Sequence, residues 1–243
     1  MNVSTVAKDD NFCFPIPDIL ETGKLELVPF EPSLHAADLI QGLDESSWLH
    51  VPVGPYSSAD EFVERFWNER IRPNAGSYLF VALDKSSCPN PSNIHIDPAD
   101  RPVAGMAGYV NTDPENLCTE ILVFVLPRFR HTHVASHTVG LLLRYALNLP
   151  NEGGLCLRRV QWSADVNNTA SVRLATKMGM KMEGVRRWTA IVPMHKAGAS
   201  NARIARKGDP RRECPGRDSV SLAICWDDWE EEGKELVEKI VEG

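Results

Sequence analysis

The fold is decided by residues 119–149, which read TEILVFVLPRFRHTHVASHTVGLLLRYALNL. The first part, TEILVFVLP (119–127), is an almost continuous apolar run, which is typical of a strand covered on both faces. After the turn RFRHTHVAS (128–136), apolar residues recur at helical spacing and predict an amphipathic helix. A turn that leads into a helix N-terminus presents several unpaired backbone N–H groups to one point. This unit therefore predicts an anion site of the kind that holds a pyrophosphate.

The residues that follow predict a second strand and a short helix beside this unit. CLRRVQWSA (156–164) alternates apolar and polar residues, as a strand does. Asn168 then caps a short helix that runs through Met178 and ends at Gly179. Two long strands are predicted near 180–193 and 218–226, followed by an acidic amphipathic helix at 228–241.

The N-terminal half predicts three further strands and two helices. The strands are KLELVPF (24–30), SYLFVALD (77–84) and PVAGMAGYVN (102–111), with a polar, Pro-broken insertion near 85–102. One helix is predicted from Ser33 to Gly42, and Ser58 opens another that stops near Pro73. The order predicts an α+β fold, a mixed central sheet of about seven strands flanked by helices.

Length and charge exclude several classes of protein. The chain has 243 residues, which points to one large domain or two small ones. We expect an N-terminal arm at 1–23 and a single domain at 24–243, with a second insertion near 195–217. The 26 Lys and Arg residues against 33 Asp and Glu residues give a net charge of −7. This charge argues against a nucleic-acid partner and against a basic membrane anchor.

No segment of the sequence predicts a membrane span, a secretory signal or a structural metal. No apolar run approaches the ~18–20 residues that cross a bilayer. The first residues lack the basic and apolar regions of a signal peptide. The 6 cysteines include no CxxC pair, which disfavours zinc and a disulfide framework. We expect a cytoplasmic protein, with a nuclear location left open, and no metal site. The common nucleotide, metalloprotease and hydrolase motifs are absent as well.

Two segments together resemble a known family. EILVFVLPRFRHTHVAS (120–136) and DVNNTASVRLATKMGMKMEGVRR (165–187) resemble the RimJ/RimL-type branch of the GCN5-related N-acetyltransferases (GNATs). That family carries a strand, a turn of the form Q/R-x-x-G-x-A, a helix, a strand and then N-x-x-S before a further helix. WLHVPVGPY (48–56) and RDSVSLAICWDDW (217–229) also resemble segments of one subgroup, so that the likeness spans roughly 24–229.

The resemblance implies the GNAT fold and acetyl-CoA as the cofactor. It implies a V-shaped opening between the fourth and fifth strands, with a bulge in strand 120–126 that lets the strands diverge. The pantetheine arm would pair with the backbone of that strand, and the pyrophosphate would lie on the turn. Asn168 would bind the pantetheine or a phosphate, or would act only as an N-cap. The remaining implied cofactor-binding residues are Val123, Phe124, Val125, Arg130, His131, Thr132, His133, Val134 and Ala135.

The resemblance also implies an acid and a base. Glu120 matches the position of a general base, and its alternative is a solvated carboxylate at a strand end. Many relatives use a tyrosine as the acid where this chain has Ala175. The RimL-like choice is therefore Ser171, whose alternative is a serine that caps its own backbone.

The turn departs from the family pattern at His131 and His133, where the family commonly has glycine. One imidazole, or Arg130, would contact a phosphate, or both rings would face solvent. If the rings blocked the phosphates, the protein would be a non-catalytic scaffold. Metal binding by His131, His133 and His137 is disfavoured, because no carboxylate is near them in the sequence.

The acceptor pocket is expected at two loops. Trp48 and Tyr56 would wall an amine site, and ordinary packing is the equal alternative. The basic loop 195–217 would be a solvated mobile loop, or it would attract an acidic acceptor or the 3′-phosphate of CoA.

The leading interpretation is an acetyl-CoA-dependent N-acetyltransferase (acyltransferase) acting on a primary amine of a small molecule. The alternatives are acetylation of a peptide N-terminus and a non-catalytic CoA-binding scaffold. No nucleic-acid or membrane partner is expected, and a homodimer is left open.

Overall fold

The computed structural model describes residues 11–86 and 101–243. One mixed sheet of 8 strands runs through the molecule in the order β1-β2-β3-β4-β5-β6-β8-β7. Only β5 and β6 pair in parallel, and every other neighbouring pair is antiparallel. The strands are β1 Leu20–Glu21, β2 Leu25–Pro29, β3 Tyr78–Asp84, β4 Val103–Asp113, β5 Cys118–Val125, β6 Arg159–Asp165, β7 Lys181–Ile191 and β8 Gly216–Cys225.

The helices begin where the sequence supplies capping side chains. Asp44 accepts from the backbone N–H of Ser47 to cap α2, and Ser58 accepts from that of Glu61 to cap α3. The helices are α1 Pro32–Gly42, α2 Glu45–Trp48, α3 Ala59–Phe62 with a π-helical continuation Val63–Ile71, α4 Val134–Leu147, α5 Thr169–Lys177, α6 Trp226–Asp228 with a π-helical continuation Trp229–Gly233, and α7 Lys234–Glu242. Among these described helices, none is both long and apolar enough to cross a membrane.

The sheet separates two groups of helices. On one face, which we call the α4 face, Tyr109 of β4 donates its hydroxyl to the carbonyl of Leu142 in α4 at 2.6 Å. Helix α7 packs on α4 at Gly140, where an added Cβ would meet Val241. On the other face, the α1 face, the ring of Phe124 in β5 lies 5.4 Å from that of Trp48 in α2. Because side chains alternate along a strand, Glu120 and Phe124 project to the α1 face.

The central sheet opens between β5 and β6. Their parallel pairing covers only Cys118–Glu120 against Arg159–Gln161. Beyond it, β5 continues to Val125 bound to β4, while β6 continues to Asp165 bound to β8. The two strands therefore diverge, which confirms the predicted V-shaped opening in an α+β fold. The strands number 8 rather than about seven. With the two-residue β1 counted, the opening lies between the fifth and sixth strands.

The predicted bulge in strand 120–126 is wrong. The register between β4 and β5 is continuous from Glu120 to Val125. It shifts instead in β4, between Val110 and Asp113, where Asn111 adopts a positive φ of 52°. Because β5 itself is regular, the opening arises where β6 follows β8 away from β5.

The ends of the predicted domain differ in what the structure describes. Residues 1–10 of the predicted arm and residues 87–100 of the predicted insertion lie outside the described residues. Residues 11–23 pack on the sheet rather than extending from it. The ring of Phe12 is stacked 6.2 Å from that of Tyr109, and Tyr145 donates its hydroxyl to the carbonyl of Pro15 at 2.5 Å.

Candidate active site

The edge of β5 that faces the opening is free of a neighbouring strand. In the described part of the chain, Ile121–Val125 pairs with β4 alone. A strand with a neighbour on one side only leaves alternate backbone N–H and C=O groups unpaired on the other. The predicted residues Val123, Phe124 and Val125 belong to this segment. Their backbone can therefore pair with an extended ligand that enters the opening.

The turn after β5 presents backbone donors at the N-terminus of α4. A short 3₁₀ segment, Pro127–Phe129, turns the chain, and the 14-residue α4 begins at Val134. In the described residues, no acceptor is bound to the backbone N–H groups of His131, Thr132, His133 and Ala135, whereas that of Val134 donates to the Thr132 hydroxyl at 3.3 Å. The helix dipole adds partial positive charge at the same place. The turn can therefore bind an anion.

The side chain of Arg130 is held by α2. Its guanidinium donates to the hydroxyls of Ser46 and Ser47 at 2.9 and 2.8 Å and lies 3.7 Å from Asp44. The turn is thereby fixed to the helix that leads into loop 48–56. A contact between Arg130 and a phosphate stays a prediction.

The two histidines of the turn have different environments. His131 is exposed and adopts φ of 63°, a conformation that favours glycine. His133 has an ordinary helical φ, and its Nε2 lies 3.2 Å from Asp84 at the end of β3 and 3.3 Å from the carbonyl of Lys24. Because β3 is separated from the opening by β4 and β5, the ring of His133 points away from the cleft. The turn's backbone donors are left uncovered on that side.

His137, one turn further along α4, is buried and gives a pH prediction. Its Nδ1 is 2.8 Å from the hydroxyl of Thr22. Burial, helped by the neighbouring positive charges of His133 and Lys24, lowers the pKa of His137 to about 4. An unfolded histidine titrates near 6.5, so between these values the unfolded state binds more protons. We expect the unfolding free energy to fall as the pH drops from about 6.5 to about 4, by at most ~1.4 kcal/mol per pH unit. Denaturant unfolding of wild type and His137→Asn across this range checks it, and an equal slope in both proteins would contradict it.

The proposed base and acid lie on opposite faces of the sheet at the apex of the opening. Glu120 ends the pairing with β6, projects to the α1 face and accepts from the amide of Asn111 at 2.9 Å. Ser171, on α5, accepts at its Oγ from the indole N–H of Trp162 at 2.9 Å. Trp162 follows Gln161, the partner of Glu120, and therefore projects to the α4 face. A reacting group in the apex would have Glu120 on one side and Ser171 on the other.

Asn168 caps α5 and thereby places Ser171. Its Oδ1 accepts from the backbone N–H of Ser171 at 3.1 Å. Within the described residues, the Ser171 hydroxyl accepts from Trp162 and donates to no protein group. Its hydrogen is therefore available to a ligand.

Trp48 lies in the core, and the loop that follows it is fixed from three sides. Trp48 is 3% exposed, and its ring contacts those of Tyr56 and Phe124 at 5.2 and 5.4 Å. The buried Lys196 donates its ammonium to the carbonyls of Val51 and Val53 at 3.1 and 2.5 Å. Burial lowers the pKa of this ammonium group. The basic loop 195–217 therefore holds loop 48–56 on the α1 face.

Sequence reasoning missed a second polar group on this face. Nδ1 of His50 lies 2.9 Å from Oδ2 of Asp165, which is fully buried at the end of β6. Arg217 donates to the carbonyl of His50 at 2.9 Å. The available signal was a carboxylate at the end of one of two parallel strands, a position where α/β sheets bind ligands.

Comparisons with known proteins agree with this architecture. A family model described as "Acetyltransferase (GNAT) domain" matches residues 24–181. A GCN5-related N-acetyltransferase from Brucella melitensis superposes with a TM-score of 0.69 at 20% identity, covering 93% of this chain and 86% of that chain. A probable GNAT-family acetyltransferase from Chromobacterium violaceum gives 0.67 at 24% identity, covering 89% and 91%. A chimeric spermidine N-acetyltransferase from Vibrio cholerae gives 0.59 at 16% identity, covering 86% and 99%. No curated protein matches the sequence.

Proposed function

The chain belongs to the GNAT acetyltransferase family, and from this premise we propose that it transfers an acetyl group from acetyl-CoA directly to a primary amine of a small molecule. The observation that carries the proposal is the V-shaped opening with Glu120 and Ser171 on opposite faces of its apex. The RimJ/RimL branch, inferred from the motif Asn168, Thr169, Ala170 and Ser171, belongs to the same proposal.

The residues of the cleft fit acetyl-CoA. The free edge of Ile121–Val125 would pair with the pantetheine amides. The N–H groups of His131, Thr132, His133 and Ala135 would bind the pyrophosphate, with the dipole of α4 behind them. When bound, acetyl-CoA supplies an acetyl thioester, which is the activated group that a transferase of this kind needs.

Each face then has its own task. On the α1 face, Glu120 carries negative charge to the apex, where it attracts the ammonium group of the acceptor. A base must remove a proton from that ammonium before the nitrogen can attack, because an alkyl ammonium has a pKa of ~10. On the α4 face, the Ser171 hydroxyl can donate a hydrogen bond to the leaving sulfur.

The loops of the α1 face support a small acceptor over a peptide. A peptide N-terminus needs an open groove, whereas Lys196 and Arg217 bind loop 48–56 to loop 195–217. The solved structures similar to this chain include a spermidine N-acetyltransferase, whose acceptor is a small amine.

The proposed function is tested by thiol release. Purified protein is incubated with acetyl-CoA and a panel of small primary amines and peptides, while free CoA thiol is followed. We expect turnover with small amines and a rise in melting temperature with CoA. Turnover with peptides alone would favour N-terminal acetylation. No turnover together with no thermal shift would favour the scaffold alternative.

Trp162 gives a prediction for the acid side. Trp162→Phe keeps an aromatic ring but removes the N–H that bonds Ser171. A hydrogen bond contributes about 0.5–1.5 kcal/mol, so we expect kcat to fall ~3- to 10-fold with little change in the KM of acetyl-CoA. In a Ser171→Ala background the same replacement should have almost no further effect. A loss of equal size in both backgrounds would show that Trp162 acts through packing alone.

A further inference from the structure

We propose that His50, oriented by Asp165, is the general base that takes the proton from the acceptor's ammonium group. The proposal rests on the proposed function and deepens it, because it divides the tasks of the α1 face. Glu120 holds the ammonium group by charge, and His50 receives the proton.

His50 lies across the opening. Two residues before it, the ring of Trp48 contacts Phe124 of β5. His50 itself contacts Asp165 of β6. Two residues span at most about 7 Å of chain, so this loop bridges the diverging strands directly. Asp165 shares its parity with Gln161, the partner of Glu120, which places the contact on the α1 face.

The contact with Asp165 fixes which nitrogen of His50 is basic. A carboxylate accepts hydrogen bonds, so Nδ1 of the neutral ring carries the hydrogen and donates it to Oδ2 at 2.9 Å. The lone pair is then on Nε2. Asp165 cannot swing away, because its side chain is buried and its Oδ1 accepts from the backbone N–H of Asn167 at 2.9 Å. The side chain of His50 is 24% exposed, so a small ligand can reach it.

The loop that carries His50 is held rigidly. Arg217 donates to the carbonyl of His50, and Lys196 donates to those of Val51 and Val53. Both cations are thus occupied by backbone and leave Asp165 to the imidazole. A base that is oriented by a carboxylate and fixed by its own backbone is pre-organised for proton transfer.

The proton transfer balances. One ammonium proton passes to Nε2, and the nitrogen then forms a bond to the acetyl carbon while the bond from that carbon to sulfur breaks. The second proton lost from nitrogen goes to the sulfur, and the imidazolium releases the first to water. An ordinary imidazole holds a proton better than an ordinary carboxylate by about two pKa units, which suits the imidazole to this step.

The test uses two amines of similar size and different basicity, ethylamine and 2,2,2-trifluoroethylamine. The fluorinated amine is largely neutral at the assay pH and needs no base. We expect His50→Gln to lower kcat/KM for ethylamine about 100-fold and for the fluorinated amine less than about 5-fold. Asp165→Asn should show the same dependence on basicity with a smaller loss. Glu120→Gln should mainly raise the KM of ethylamine.

The controls separate this proposal from the proposed function. His35→Gln, the same replacement on α1 with its ring bonded to the backbone N–H of Glu31, should leave both rates unchanged. CoA should stabilise all variants equally against thermal unfolding. Equal losses for both amines in His50→Gln would overturn the role of His50 as base. So would a dependence on basicity confined to Glu120→Gln. No thiol release by wild type with any amine would overturn the proposed function and the role of His50 with it.

Discussion

Replacing Ala135 with aspartate is expected to abolish acetyl-CoA binding while leaving the fold at least as stable as that of the wild type. Ala135 is the second residue of α4, is partly exposed and lies among the unpaired N–H groups of the turn. A carboxylate here would accept hydrogen bonds from the donors that the pyrophosphate needs. Two like charges ~4 Å apart repel by about 4 kcal/mol near a protein surface, which is about 1,000-fold in the dissociation constant.

The same carboxylate interacts favourably with the helix dipole. An acidic residue in the first turn of a helix contributes about 0.3–1 kcal/mol to stability. Calorimetric titration with CoA and thermal unfolding therefore move in opposite directions, which a damaged fold cannot produce. Leu34→Asp is the matched control, since it adds the same charge to the first turn of α1 at a residue that is 60% exposed. Unchanged CoA affinity in Ala135→Asp would show that the turn does not hold the pyrophosphate.

The parts of the fold that the sequence predicts are those with a local cause. The apolar run of β5 and the helical spacing of α4 predicted both elements to within two residues of the structure. Asn168 was predicted as a cap because its side chain bonds a backbone group three residues away. Elements without such a signal were missed. The strand Leu20–Glu21 has two residues and no periodicity, and α2 has four.

The candidate site was predicted only where the chain is continuous. The turn and the motif around Ser171 are short segments, and their residues lie together for that reason. The bond between His50 and Asp165 joins residues 115 apart, and that between Lys196 and Val51 joins residues 145 apart. Nothing in either segment marks its partner, because these contacts depend on how β6 and β8 place the two loops. The bulge shows the same limit, since pairing with β5 decides that Asn111 takes the extra position in β4.

Trp48→Ala is expected to lower the unfolding free energy by about 3–5 kcal/mol, as the loss of a buried tryptophan does. The side chain is 3% exposed and joins α2 to Tyr56 and Phe124. The loop is built closely around it. Gly54 has φ of 62°, and a Cβ there would lie 2.4 Å from the indole ring. In a chain of this length the melting temperature should fall by about 6–20 °C. Thermal unfolding of the variant measures this loss.

This measurement also decides between the two roles predicted for Trp48. If the ring is packed core, the loss appears as stability, and CoA affinity at the distant turn changes little once the variant is folded at low temperature. If the ring walls the acceptor site, the KM of the amine rises while the melting temperature is maintained. Trp226→Ala provides the control, because that tryptophan is 57% exposed and should cost less than about 0.5 kcal/mol. A melting temperature of Trp48→Ala as close to wild type as that of the control would contradict the packing role and return Trp48 to the acceptor site.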